Sequence, residues 1–92
     1  MMNTAIKHHP ERHRFEIHVD GETGYIEYEE SAAEIDYTHT VVPKGIGGRG
    51  IGTDLVKYAL AYARVEHLKV IPSCSFVAAM IDNNDVYKDL RK

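Results

Sequence analysis

Apolar and polar residues alternate at period two along three stretches of the chain, as strands with one buried face do. The first is Phe15-Glu16-Ile17-His18-Val19, closed by Asp20-Gly21. In the second, Tyr25-Ile26-Glu27-Tyr28-Glu29, Ile26 and Tyr28 share one face and the two glutamates the other. The third runs from Ala33 to Val42 and stops at Pro43; its alternation puts Ile35, Tyr37 and His39 on one face. Turn-rich connectors, Asp20 to Gly24 and Glu30 to Ala32, predict sequential antiparallel pairing. The expected product is a three-stranded meander.

After Pro43 the pattern changes. Five of the seven glycines fall in the eight residues Gly45 to Gly52. A helical period follows, with Ile51, Leu55, Val56, Ala59, Leu60 and Ala63 on one side and Asp54, Lys57, Arg64 and Glu66 on the other. Lys69-Val70-Ile71 predicts a short strand ended by Pro72. Ser73 or Ser75 is a candidate cap for a second helix carrying Phe76, Val77, Met80 and Ile81 on one face. Val86 to Leu90 predicts a last helical turn. The order is β-β-β-α-β-α: one mixed α/β (α+β) domain over residues 1–92.

Size and charge narrow the function. A chain of 92 residues has room for one modest core, which excludes a two-lobed enzyme or an eight-stranded α/β barrel. A net charge of −3 argues against a general nucleic-acid binder, which needs a dominant basic face. A single cysteine, Cys74, cannot form an internal disulfide, and no apolar run is long enough for a membrane span or signal-peptide core. The expectation is a cytoplasmic protein. Residues 1–50 hold 9 acids and 5 bases, and from Asp20 to Asp36 there are seven acids with no Lys or Arg. Such a run is either the solvated side of a hairpin or a field that draws a cationic amine.

The glycine run sits between a strand and a helix, where free backbone N–H groups and the positive helix end suit a phosphate or pyrophosphate. The bland alternative is a flexible connector. Thr53 adds a hydroxyl, and Lys44 and Arg49 add charge. A P-loop needs Lys-Ser/Thr after its last glycine, whereas Gly50 is followed by Ile51-Gly52. The dinucleotide fingerprint G-x-G-x-x-G occurs at Gly45 to Gly50. It expects a parallel βαβ unit and an acid about 20 residues on; the upstream strands read as antiparallel, and Pro72-Ser73-Cys74 contains no acid. The remaining type is G-x-G at Gly50-Ile51-Gly52, opening a helix after a meander.

Val42-Pro43, the glycine turn, Gly48-Arg49-Gly50-Ile51-Gly52-Thr53 and Leu55-Val56 together resemble the acyl-CoA pyrophosphate loop of the GNAT N-acetyltransferase superfamily. The chain as a whole resembles its short YjdJ-type branch across about residues 6–90. Arg14-Phe15-Glu16, His39-Thr40-Val41-Val42-Pro43, Lys69 to Val77 with its P-x-C-x-F block, and Tyr87-Lys88-Asp89-Leu90 all match. The resemblance implies a minimal GNAT-like fold that binds acetyl-CoA. The backbone of Thr40, Val41 and Val42 would run along the pantetheine arm. Gly47, Gly48, Arg49, Gly50, Ile51, Gly52 and Thr53 would hold the pyrophosphate. Two strands would splay apart to admit the thioester. The Q/R position of the superfamily pattern Q/R-x-x-G-x-G/A is Gly47, so no side chain serves there. The Asn and Tyr that larger relatives carry at the fifth strand's end and seven residues on are Cys74 and Ile81. The two acceptor-binding helices of full-length relatives are absent.

The chemistry then falls to two candidates. Cys74 lies between a strand end and a helix start, where N–H groups favour a thiolate that could accept an acetyl group. A buried filler thiol is the alternative. His39, on the last strand before the loop, offers a base near neutral pH, or merely satisfies a backbone carbonyl. Tyr37, sharing its expected face, offers an oxyanion donor. His8-His9 and His13 lie ahead of the first strand with Pro10 between them, and no ligand spacing predicts a metal site. The reading is an acetyl-CoA-dependent N-acetyltransferase acting on an unidentified amine, small molecule or protein. An acyl-CoA sensor without turnover is its rival.

Overall fold

The computed structural model describes residues 6–92. In chain order the elements are β1 (Ile6–His9), β2 (Arg14–Val19), β3 (Glu22–Glu30), β4 (Glu34–Val41), α1 (Ile51–Val65), β5 (Lys69–Ile71) and α2 (Ser75–Asp82). Short 3-10 turns occupy Pro10–Arg12, Lys44–Ile46 and Asp85–Leu90. The five strands form one sheet in the order β1-β2-β3-β4-β5. The expected β-β-β-α-β-α series is present, with one strand added in front of it.

That strand, β1, pairs antiparallel with β2, Ile6 opposite Ile17 and His8 opposite Phe15. Its alternation is hidden in the sequence because His8 takes an apolar place. Its ring stacks on Phe15 with centroids 4.3 Å apart and meets the Tyr28 hydroxyl at 2.6 Å. Burial holds the His8 imidazole below its ordinary value. His8 and His9 therefore belong to the sheet rather than to a tail ahead of it.

The β2–β3 connection is tighter than the sequence suggests. Asp20 (φ 51°) and Gly21 (φ 77°) are both left-handed, as a two-residue hairpin turn requires. Strand β3 therefore starts at Glu22. Strand β4 pairs antiparallel with β3 and parallel with β5, and α1 makes the crossover between β4 and β5. The glycine loop thus lies inside a parallel βαβ unit, contrary to the expectation from the antiparallel meander. What still separates it from the dinucleotide fingerprint is the missing acid after β5, and the 3-10 turn at Lys44–Ile46.

Every apolar position assigned to the first helix is buried. Ile51, Leu55, Val56, Ala59, Leu60 and Ala63 pack with Phe15, Ile17, Ile26, Tyr28, Ile35, Tyr37 and Val70 in one core. The second helix matches only in part: Val77 and Ile81 are buried, whereas Phe76 is 39% exposed. Its N-cap position is Cys74, not Ser73 or Ser75. At the C-terminus the N–H of Lys92 donates to Val70 O at 2.9 Å, so the chain end covers part of the outer edge of β5. Among the described residues no helix is long and apolar enough to cross a membrane.

One irregularity in the sheet decides the geometry of the site. Tyr28 pairs with Tyr37, but Glu27 pairs with His39, so the β3–β4 register shifts and Thr38 is an extra residue on β4. A bulge of this kind reverses which face the following residues occupy. Before it, Ile35 and Tyr37 face α1. After it, Thr40 is the residue opposite core Ile26, and His39 moves to the far side of the sheet with Glu27.

Candidate active site

The loop after β4 is anchored rather than loose. Ile46 is fully buried in the core, and the turn around it is closed by Ile46 N–H to Pro43 O (3.1 Å) and Gly47 N–H to Lys44 O (3.2 Å). Gly48 (φ 77°) and Gly50 (φ 75°) are left-handed, a conformation that costs little only in glycine. Gly50 is the N-cap of α1 and offers no capping side chain. Among the described residues, none of the backbone N–H groups of residues 48–53 donates to a backbone carbonyl. These orphan donors, with the positive end of a 15-residue helix, form a place where an anion can sit. Arg49 is exposed and engaged by Asp20 at 2.6 Å, and Lys44 is exposed.

Gly52 has a further reason to lack a side chain. A Cβ there would stand 2.5 Å from the Phe76 ring and 3.4 Å from Val42. The half-exposed Phe76 thus bridges the starts of the two helices. Sequence patterning placed Phe76 in the core and gave no sign of this contact, which joins positions in two separate elements.

Beside the loop, β4 and β5 part company. They pair only from Glu34–Lys69 to Asp36–Ile71. One more hydrogen bond, Cys74 N–H to Tyr37 O at 2.8 Å, closes the wedge. Past it, among the described residues, Thr38 to Val41 have no strand partner on this side. A free strand edge next to an anion site is suited to an extended chain that ends in phosphates.

Cys74 stands at the apex of that wedge, half-buried, with its Sγ 3.4 Å from the Thr40 hydroxyl. Burial pushes the thiol up, but the Thr40 hydroxyl and the backbone N–H groups of Val77, Phe76 and Thr40 outweigh it. The net result is a thiol below its ordinary value. None of those N–H groups makes a full capping hydrogen bond to the sulfur, so the Thr40 contact is the leading attraction. Replacing Thr40 by Val is therefore expected to move the midpoint of Cys74 alkylation by iodoacetamide to higher pH. The sign follows from the thiolate being the reacting form: losing a donor to the thiolate raises the pH at which it appears. An unchanged profile would remove Thr40 from the site.

The bulge separates the other two candidates from this thiol. Tyr37 is fully buried and its hydroxyl donates to Ala59 O, so it is not an oxyanion donor; burial also pushes its pKa above the ordinary tyrosine range. His39 does not share the face of Tyr37, as strict alternation implied. Its side chain is 72% exposed and its Nδ1 lies 3.7 Å from Glu27 Oε1. Cys74 and His39 thus lie on opposite faces of the sheet, either side of the Thr38–Thr40 segment.

A free edge, a helix opening on orphan amides and a bulged central strand define the class, and the comparisons agree. Residues 14–90 match the family model described as GCN5-related N-acetyl-transferase, and the chain belongs to that family. It is 29% identical over 90 residues to Protein NATD1 of Mus musculus, covering 95% of this chain and 82% of that protein. It also resembles the solution structure of a GCN5-like protein from Staphylococcus aureus. There the TM-score is 0.74 at 34% identity, over 100% of this chain and 91% of the other.

Proposed function

We propose that the protein is an acetyl-CoA-dependent N-acetyltransferase of the short YjdJ-type branch, working in the cytoplasm. The observation that carries this is the continuous path from the free edge of β4 to the orphan amides of the glycine loop, with Cys74 at its inner end. Thr40, Val41 and Val42 pair with the pantetheine arm as an added strand would. Residues 48–53 receive the pyrophosphate through backbone donors; Gly47, expected among them from the sequence, is not one, because its N–H is already given to Lys44 O.

Transfer runs in two steps. The Cys74 thiolate attacks the acetyl carbonyl, its C–S bond forms, the C–S bond to CoA breaks, and CoA leaves as a thiolate that takes a proton from water. The acceptor's nitrogen then attacks the acetyl-cysteine, releasing the Cys74 thiolate and giving its extra proton to His39. The rival reading, a sensor of acyl-CoA without turnover, draws on Ile81, a side chain with no proton to give, standing where larger relatives carry a Tyr.

The test is a calorimetric titration with acetyl-CoA, with NAD in parallel. Saturable heat with acetyl-CoA and none with NAD is the expected result. Silence with acetyl-CoA would sink both the enzyme and the sensor readings. Binding without any acetylated product across amine and peptide panels would favour the sensor.

A further inference from the structure

Three separate parts of the proposed site meet round one glycine. Gly48 and Gly50 are left-handed, and a Cβ on either would meet nothing within 4 Å. Gly52 is different. It lies inside α1 without a left-handed φ, where glycine is less favourable than alanine. What its missing side chain leaves is room: a Cβ there would stand 2.5 Å from Phe76 Cε2, 3.2 Å from Phe76 Cζ and 3.4 Å from Val42 Cγ2. The edge of the Phe76 ring therefore rests against the first turn of α1, beside the residue that follows β4.

Phe76 is also tied to the thiol. It is the second residue of α2, whose N-cap is Cys74, and its own backbone N–H is among the groups that favour the Cys74 thiolate. The Cys74 end of that turn is pinned as well, by Cys74 N–H to Tyr37 O at 2.8 Å and Ala78 N–H to Cys74 O at 3.0 Å. Val77 and Ile81 give α2 its buried face, whereas the Phe76 ring stays half-exposed at the junction of the two helices. A ring seated in van der Waals contact acts as a spacer, because packed side chains yield little to compression.

Spacing matters for a donor that is held at one end and reacts at the other. With the pyrophosphate on the orphan amides of residues 48–53, the acetyl carbon must come within about 3–3.5 Å of the sulfur to react. A misplacement of about 1 Å can cost on the order of a hundredfold in rate. We propose that Phe76 is a positioning residue: its ring, seated on Gly52, sets the distance between the first turn of α1 and the Cys74 thiol. The role rests on the acetyl-CoA reading above. Without the ring the two turns shift relative to each other, and a donor anchored at the loop no longer presents its thioester to the sulfur. A donor with no phosphates has no such anchor and is indifferent to the spacing.

The test compares two acetyl donors on the full chain: acetyl-CoA, and S-acetylpantetheine, which keeps the thioester and its arm but lacks the pyrophosphate. Intact mass follows the acetyl group onto Cys74. Its carbon–sulfur bond to the donor breaks as the bond to Cys74 Sγ forms, and the donor leaves as a thiolate that takes a proton from water. Phe76→Ala is expected to slow acetylation by acetyl-CoA about tenfold, while the rates with S-acetylpantetheine and with iodoacetamide stay within about twofold. Phe76→Leu, which keeps an apolar contact, should show the same donor-selective loss in smaller degree. Thermal unfolding checks that each variant is folded, and Phe76→Leu decides the matter if Phe76→Ala is not. Gly52→Ala should slow the acetyl-CoA reaction in the native protein but not further in Phe76→Ala, where no ring remains to be displaced. An unchanged rate with acetyl-CoA, an equal loss with S-acetylpantetheine or iodoacetamide, or additive effects of the two substitutions would each overturn the positioning role. No adduct in the unsubstituted protein with either donor would instead overturn the two-step reading, and the positioning role with it.

Discussion

Replacing Cys74 with alanine is expected to lower acetyl transfer by about a thousandfold or more while leaving acetyl-CoA affinity within about threefold. The split follows from where the groups lie. The proposed pyrophosphate site consists of backbone amides of residues 48–53, and the proposed pantetheine edge of the backbone of β4; neither uses the thiol. In the proposed transfer the thiol is the nucleophile, its thiolate favoured by the Thr40 hydroxyl and the first turn of α2. Removing it takes away the step and leaves the pocket. In the wild-type protein an intact-mass spectrum after brief mixing with acetyl-CoA should show one acetyl adduct, absent in Cys74→Ala. A variant that keeps full turnover would show that the amine attacks the CoA thioester directly. In that case Cys74 is only a packing residue beside Thr40.

The second large effect is on stability and comes from a residue inside the glycine run. Ile46 is 0% exposed although it is flanked by glycines and sits in a surface loop. Ile46→Ala should cost about 2–5 kcal/mol, the range for truncating a buried isoleucine. In a domain of this size that is a fall in Tm of at least about 10 °C. Because Ile46 ties the loop to the core, the variant should also bind acetyl-CoA more weakly. Saturating acetyl-CoA should recover part of the lost Tm, since a ligand that binds only the folded state stabilises it by mass action. A shift of only a degree or two would mean that the loop stands without its anchor.

The helical face from Ile51 to Ala63 was legible in the sequence because helix burial depends on a local period that the chain itself carries. The same holds for Ile26 and Tyr28 on one side of β3. β1 was not legible, because its second inward position is a histidine, and only contact with Phe15 and Tyr28 sets that part-buried ring against the core. Phe76 erred in the other direction. Its period marks it as buried, yet the space beside Gly52 draws it to the junction of the two helices and leaves it part-exposed.

The site divides along the same line. Glycines 45–52, the hydroxyl of Thr53 and the cysteine between a strand and a helix are local signals, since each reflects what backbone geometry permits at one position. The sequence by itself determined the meander, the long amphipathic helix and the glycine run that leads into it. Only the tertiary structure decided that β4 runs parallel to β5 and then leaves it, that Thr38 is an extra residue, and that Cys74 and His39 face opposite ways. The physical reason is that a bulge belongs to a pair of strands, not to one. Alternation along β4 alone predicts a single face for Tyr37 and His39, and its failure appears only when Glu27 and Tyr28 are counted against it across the sheet.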